Sequence, residues 1–255
     1  MDESLRHRYL AAMEIPVWLG RTPAQRFPTQ GVLPGAGESP SQPELGADLV
    51  PPAAPQVLGA EPPSTQGMSW DELAQRVQDC RACAQLVANR TRTVFGVGNR
   101  AARLMVIGEA PGVDEDRQGE PFVGRAGQLL NRMLLAMGLA RDQVFIANVL
   151  KCRPPQNRDP NGEEAAQCEP FLLRQIELVE PAVILSVGRI SAQNLLKTET
   201  PVGQLRGRIF PFGERKIPLV VTYHPAYLLR SPEQKAKAWD DLQLALRTLR
   251  GQNQG

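Results

Sequence analysis

The chain carries four cysteines and no more: Cys80, Cys83, Cys152 and Cys168. The first two form a C-x2-C pair. Sixty-eight residues separate Cys83 from Cys152, and fifteen separate Cys152 from Cys168. Two thiols three positions apart can face one centre, and two distant thiols can complete it. Where thiols stay reduced, such a set binds a metal or cluster rather than forming disulfides. All-thiolate ligation suits a zinc ion or an iron–sulfur cluster, and spacing alone does not separate the two. The C-x2-C pair argues against four unconnected core cysteines.

Three other stretches could do chemistry. Gly108-Glu109-Ala110-Pro111-Gly112 has glycines that let the backbone approach a ligand and expose its amides; its plainer use is a tight turn with a solvated Glu109. Pro121-Phe122-Val123-Gly124 offers an aromatic platform for a planar ligand, a core phenylalanine being the commoner use. His224, one of two histidines, sits between Tyr223 and Pro225. It could donate to a developing anion or be a satisfied structural histidine. A lone histidine makes no histidine-pair metal site. No G-x-S-x-G elbow is present, so serine-hydrolase chemistry has no support. Gly96-Val97-Gly98 precedes its strand and lacks a third glycine, so it is not a dinucleotide loop.

These residues need elements to position them. Apolar runs at 103–108, 143–147, 182–187 and 217–222 read as strands. Helices are predicted after Ser69, whose capping box uses Glu72, and over 127–137, 162–179, 190–196 and 232–250. Apolar strands alternating with helices predict an α/β fold, a three-layer α/β/α sandwich with a central four-stranded parallel sheet. Function in such sheets collects at the carboxyl ends of the strands. Those ends are GEAPG, Asn148 to Cys152, Gly188-Arg189 and Tyr223-His224-Pro225, so they converge on one rim.

Residues 22–66 hold ten prolines and five glycines, too little apolar surface to offset chain entropy. The predicted organisation is a peptide motif plus disordered linker over 1–66 and one domain over 67–255. The apolar peptide Tyr9 to Trp18 docks on its own domain, binds a protein partner or stays disordered. The net charge of +2 hides a linker segment of net −3 and a domain of net +5. A mildly basic domain permits a phosphate-backbone partner without demanding one. No apolar run is long enough to span a membrane, and the charged N-terminus lacks a secretory core. A cytoplasmic protein is expected.

Taken together, GEAPGVDEDRQGEPFVGRAGQLLNRML, VFIANVLKCRPPQNRDP and YHPAYLLR resemble the family 4 uracil-DNA glycosylases, an iron–sulfur branch of that superfamily. The resemblance covers roughly residues 68–250 and includes all four cysteines. It implies that Cys80, Cys83, Cys152 and Cys168 hold a [4Fe–4S] cluster. It implies that Glu109 and the backbone around it, Ala110 included, line the uracil pocket and the catalytic water. Phe122 would stack on the flipped base, Asn148 read the uracil edge and His224 lie near uracil O2. Tyr227 to Arg230, with Leu228 or Leu229 as wedge, would form a loop entering the duplex, and Arg125, Lys151, Arg153, Arg158 and Arg230 would hold phosphates. The expected activity is monofunctional hydrolysis of uracil from DNA by a monomer near the nucleoid. Two alternatives remain: a non-catalytic glycosylase-like DNA-binding module, and a zinc-stabilised interaction protein.

Overall fold

The computed structural model describes residues 63–251; the N-terminal peptide and nearly all of the predicted linker lie outside the described residues. Six strands form one sheet: β1 Val97–Gly98, β2 Leu104–Gly108, β3 Phe145–Asn148, β4 Val183–Val187, β5 Ile209–Phe212 and β6 Ile217–Thr222, in the order β1-β3-β2-β4-β6-β5. The four inner strands run parallel and are the four predicted ones. The count of four is corrected by the antiparallel edges β1 and β5. Neither edge carries a strong pattern. β1 has two residues, and β5 contains Pro211, a residue that sheets tolerate at an edge.

Alternation along the inner strands builds two cores. Val106, Ile146, Leu185 and Val220 face α4 (Arg125–Ala136) and α9 (Lys235–Gly251), meeting Leu130, Met133, Trp239 and Leu242. Met105, Phe145, Ile184 and Leu219 face α5 (Gly162–Val179), α6 (Arg189–Leu196) and α7 (Val202–Leu205), meeting Leu172, Ile176, Leu195 and Leu205. Both faces of the sheet are thus covered, which makes the three layers and explains why the strands read as continuous apolar runs.

The N-terminal helix α1 (Trp70–Gln78) starts at the predicted capping box, with Ser69 N–H donating to Glu72 at 2.8 Å. Leu73 and Val77 pack on Phe171 of α5, beside Cys80. Asn161 and Glu164 form a second capping box that starts α5. Among the described residues four short helices escape the pattern reading: α2 (Ala84–Asn89), α3 (Val113–Gln118), α7 and α8 (Pro225–Arg230). At four to six residues each, they are too short to show a helical period.

Candidate active site and cysteine centre

Because β2, β3, β4 and β6 are parallel, their carboxyl ends share one rim. Gly108 is in register with Asn148, and Val187 with Thr222. A cavity of about 730 Å³ opens at this rim. Its walls include Glu109, Ala110, Phe122, Asn148, Gly188 and His224. The rim therefore brings together five of the predicted pocket residues. Two glycines make room. A Cβ on Gly108 would lie 2.4 Å from Asn148 Oδ1 and 2.5 Å from the Phe122 ring, and one on Gly188 would lie 2.5 Å from Glu109 Oε1.

Glu109 leaves β2 and its Oε1 accepts the Ile190 N–H at 3.1 Å, in the first turn of α6. Phe122 is buried with φ +55, a left-handed backbone that costs a non-glycine residue about 1–2 kcal/mol. Its neighbours hold it there. Glu115 Oε1 accepts the Val123 and Gly124 N–H groups at 2.9 and 3.1 Å, while Oε2 accepts the Gly112 N–H at 3.1 Å. Arg141 donates to the Phe122 and Pro121 carbonyls. One carboxylate thus ties the GEAPG loop to the loop carrying Phe122. Sequence reasoning missed Glu115; its signal was an acid three residues after Gly112, the spacing of a helix-capping glutamate.

Asn148 is 2% exposed, and its Oδ1 is a buried acceptor with no partner. Buried polar atoms are nearly always paired, and an orphan costs about 1–3 kcal/mol. This one lies in the wall of a cavity. The half-buried His224 ring lies 5.7 Å from the Phe122 ring at a 33° tilt. His224 Nδ1 accepts the Ala226 N–H at 3.1 Å, so the proton of the neutral ring sits on Nε2. Burial pushes its pKa below the ordinary 6.5, Glu109 and Glu115 pulling the other way and Arg230 adding to the fall. A neutral donor results.

The family model of the uracil DNA glycosylase superfamily matches residues 95–243. The chain belongs to the uracil-DNA glycosylase superfamily. The Type-4 uracil-DNA glycosylase of Archaeoglobus fulgidus is 43% identical over 68% of this chain and 89% of its own length. That of Thermotoga maritima is 44% identical over 62% of this chain and 82% of its own. That of Saccharolobus solfataricus is 44% identical over 64% and 78%.

Within this superfamily member, several DNA-facing expectations need correction. Tyr227 to Arg230 is not a loop but most of α8, and Leu228 is fully buried in the core with α4 and α9. Burial removes it as a wedge and leaves Leu229, 36% exposed, with Arg230 beside it. Lys151 cannot reach a phosphate. It is 1% exposed and donates to the Asn148 carbonyl at 2.8 Å and Gln175 Oε1 at 2.6 Å. Arg158 lines the cavity but is paired through two bonds with the buried Glu164. Arg153 bonds Asn157 Oδ1 at 2.8 Å, and Arg125 is exposed at the start of α4.

The four cysteines are free thiols, Cys152 and Cys168 buried and Cys80 and Cys83 partly so. They interact across the fold. Burial first, then Cys152 and Cys80, pushes Cys83 up to about 11. Burial likewise pushes Cys168 up to about 12, with Cys152 and Cys83 adding to it. Arg90, which sequence reasoning missed, donates to Cys152 Sγ at 2.7 Å and to the Cys80 carbonyl at 2.6 Å. It bridges the C-x2-C segment to Cys152. Among the described residues, no group of three or more His, Cys, Asp or Glu side chains is placed to hold a single ion. As thiolates these groups would repel one another, so deprotonating them suits a centre that supplies positive charge.

Proposed function

We infer that the protein is a monofunctional uracil-DNA glycosylase, hydrolysing the N-glycosidic bond of uracil in DNA to leave an abasic site. The unpartnered Asn148 Oδ1 carries this reading. Uracil offers an N3–H donor beside the O4 acceptor, so an amide can accept from the first and donate to the second. Cytosine presents a bare N3 to the same acceptor and an amine donor at its neighbour. The orphaned acceptor is thus matched by uracil and opposed by cytosine.

The rest of the cavity follows from that placement. A base in a duplex must be flipped out at a cost of a few kcal/mol, and the Phe122 ring supplies a stacking face. Bond breaking leaves negative charge on uracil, which the His224 Nε2–H can bond as a neutral donor. Glu109, fixed by the α6 N–H, accepts from the attacking water. No lysine lines the cavity, and Lys151 is engaged with Asn148 and Gln175. A Schiff base and strand cleavage are therefore not expected.

Cys80, Cys83, Cys152 and Cys168 would hold a [4Fe–4S] cluster that braces the segment running from Asn148 to the cysteines. That segment continues the sheet ladder, Val149 and Leu150 donating to the Gly108 and Glu109 carbonyls at 3.0 Å. Residues 67–255 form the glycosylase domain, with 1–66 as peptide and linker. The enzyme acts as a cytoplasmic monomer on uracil-containing DNA, and the N-terminal peptide is free to recruit a protein partner. No helix among the described residues is long and apolar enough to cross a membrane.

Release of free uracil from a uracil-containing oligonucleotide tests the reading, with Asn148→Asp as its sharper form. Asn148→Asp should lose uracil excision and gain cytosine, because a carboxylate accepts the cytosine amine. A parent protein that binds the oligonucleotide and releases no base would leave a non-catalytic module in its place.

A further inference from the structure

Three arginines line the cavity: Arg158, Arg189 and Arg230. They are not equally free. Arg158 is held by Glu164, whose side chain is 6% exposed, and pulling it away would strand a buried carboxylate. Arg189 has a different partner. Its Nη2 donates to Asp159 Oδ2 at 2.5 Å, with Gln193 Oε1 at 3.3 Å from Nη1. The Arg189 and Asp159 side chains are 50% and 65% exposed. An exposed pair of this kind is worth about 0–1 kcal/mol, so it exchanges cheaply.

The pair joins two parts of the cavity wall. Asp159 sits on the loop that follows Cys152, and Arg189 sits at the start of α6, next to the Ile190 N–H that holds Glu109. Gln156 and Asn157 on the same loop both have left-handed backbones, at φ +53 and +54. When a base fills the cavity, its sugar and the flanking phosphates must remain outside at the mouth. A guanidinium there can bond a phosphate through two parallel donors.

We propose that Arg189 is a phosphate-contacting residue at the mouth, held ready by Asp159 and exchanging that carboxylate for a DNA phosphate beside the flipped nucleotide. The proposal rests on the glycosylase reading. Asp159 then has two effects: it orients Arg189 in the free protein, and it opposes DNA by competing for that arginine and by its own charge.

The two residues make opposite predictions. Binding of the full-length protein to a duplex bearing a tetrahydrofuran abasic analogue, measured by anisotropy over a salt series, reads them out. Arg189→Gln should weaken binding roughly tenfold, the scale of one charge-assisted hydrogen bond, and lower the slope of log affinity against log salt by about 0.9. Asp159→Asn should tighten binding by roughly two- to fivefold and leave that slope unchanged. The double variant should follow Arg189→Gln. If both single variants weaken binding equally, the pair is only a brace between two loops and the proposal falls. It falls equally if neither changes affinity or slope. Uracil release by the parent, measured alongside, separates the levels: an inactive parent sinks the glycosylase reading, whereas an active parent with indistinguishable variants sinks only the role of Arg189.

Discussion

Asn148 and Cys152 are four residues apart, yet the regions they serve are held in different ways. The pocket end is built from polar bonds that the protein supplies itself. Glu115 holds two loops through three backbone N–H groups, Ile190 fixes Glu109, and Ala226 fixes the His224 ring. The cysteine end gathers four thiols; burial first, and neighbouring thiols second, push Cys83, Cys152 and Cys168 up, with Arg90 as the cation bonded to the Cys152 sulfur. The first region is pre-organised before it meets its ligand, at the cost of one orphaned acceptor. The second is electrostatically incomplete until something positive binds it. A change at the cysteine end should therefore act on stability and activity together, and a change at the pocket end mainly on activity.

The largest effect should come from Cys152→Ala. It removes one of the four proposed cluster ligands and the sulfur that pairs Arg90, so iron content should fall to background and excision with it, accompanied by a lower melting temperature. Metal analysis after anaerobic purification checks this, and finding zinc without iron in the parent would overturn the cluster assignment. Next is His224→Ala, for which single-turnover excision should drop by roughly 10²–10³, the cost of one donor to a developing anion. Iron content and DNA affinity should stay level, since phosphate contacts carry most of the affinity. Excision at the parent rate would leave His224 a purely structural group.

Gly108→Ala sharpens the contrast further. The added methyl would overlap both Asn148 and the Phe122 ring, and displacement of either by about 1 Å should cost on the order of 10² in rate, again with iron retained. A smaller effect concerns pH. His224 has a folded pKa below 6.5, so it stays neutral through neutral pH and takes a proton only in more acid solution than the unfolded chain does. Excision should hold above pH 6.5 and fall at lower pH, and stability should fall in the same direction, because there the unfolded state binds more protons. His224→Gln should flatten that part of the rate profile. The smallest effect is expected from a chain beginning at Gly67. It should excise uracil at the parent rate and melt only a few degrees lower, because it loses the Thr65 hydroxyl bond to the Pro170 carbonyl, worth about 1 kcal/mol. Loss of excision with iron intact would give residues 1–66 a catalytic role.

What the sequence determined by itself was whatever is written in local chemistry or in period. Ser69 with Glu72 started α1, and the helix read from Gly162 to Val179 has those ends in the structure. The four inner strands showed as unbroken apolar runs because each is covered on both faces, and their parallel order sent GEAPG, Asn148, Gly188 and His224 to one rim. The cysteine spacing pointed to one shared site for the four thiols and left open what that site would hold. Tertiary structure alone decided which polar side chains are spent on the protein and which remain for a ligand. Lys151 and Arg158 read as phosphate holders, yet Gln175 on α5 engages the first and Glu164 in the first turn of α5 the second. Leu228 and Leu229 look alike in the chain, but the six-residue helix α8 turns the first into the core and leaves the second outside. The roles of Glu115, Arg90 and the Arg189–Asp159 pair depend on which loops the fold brings within hydrogen-bond reach. Reach of that kind is set by the packing of the three layers, and no local pattern encodes it.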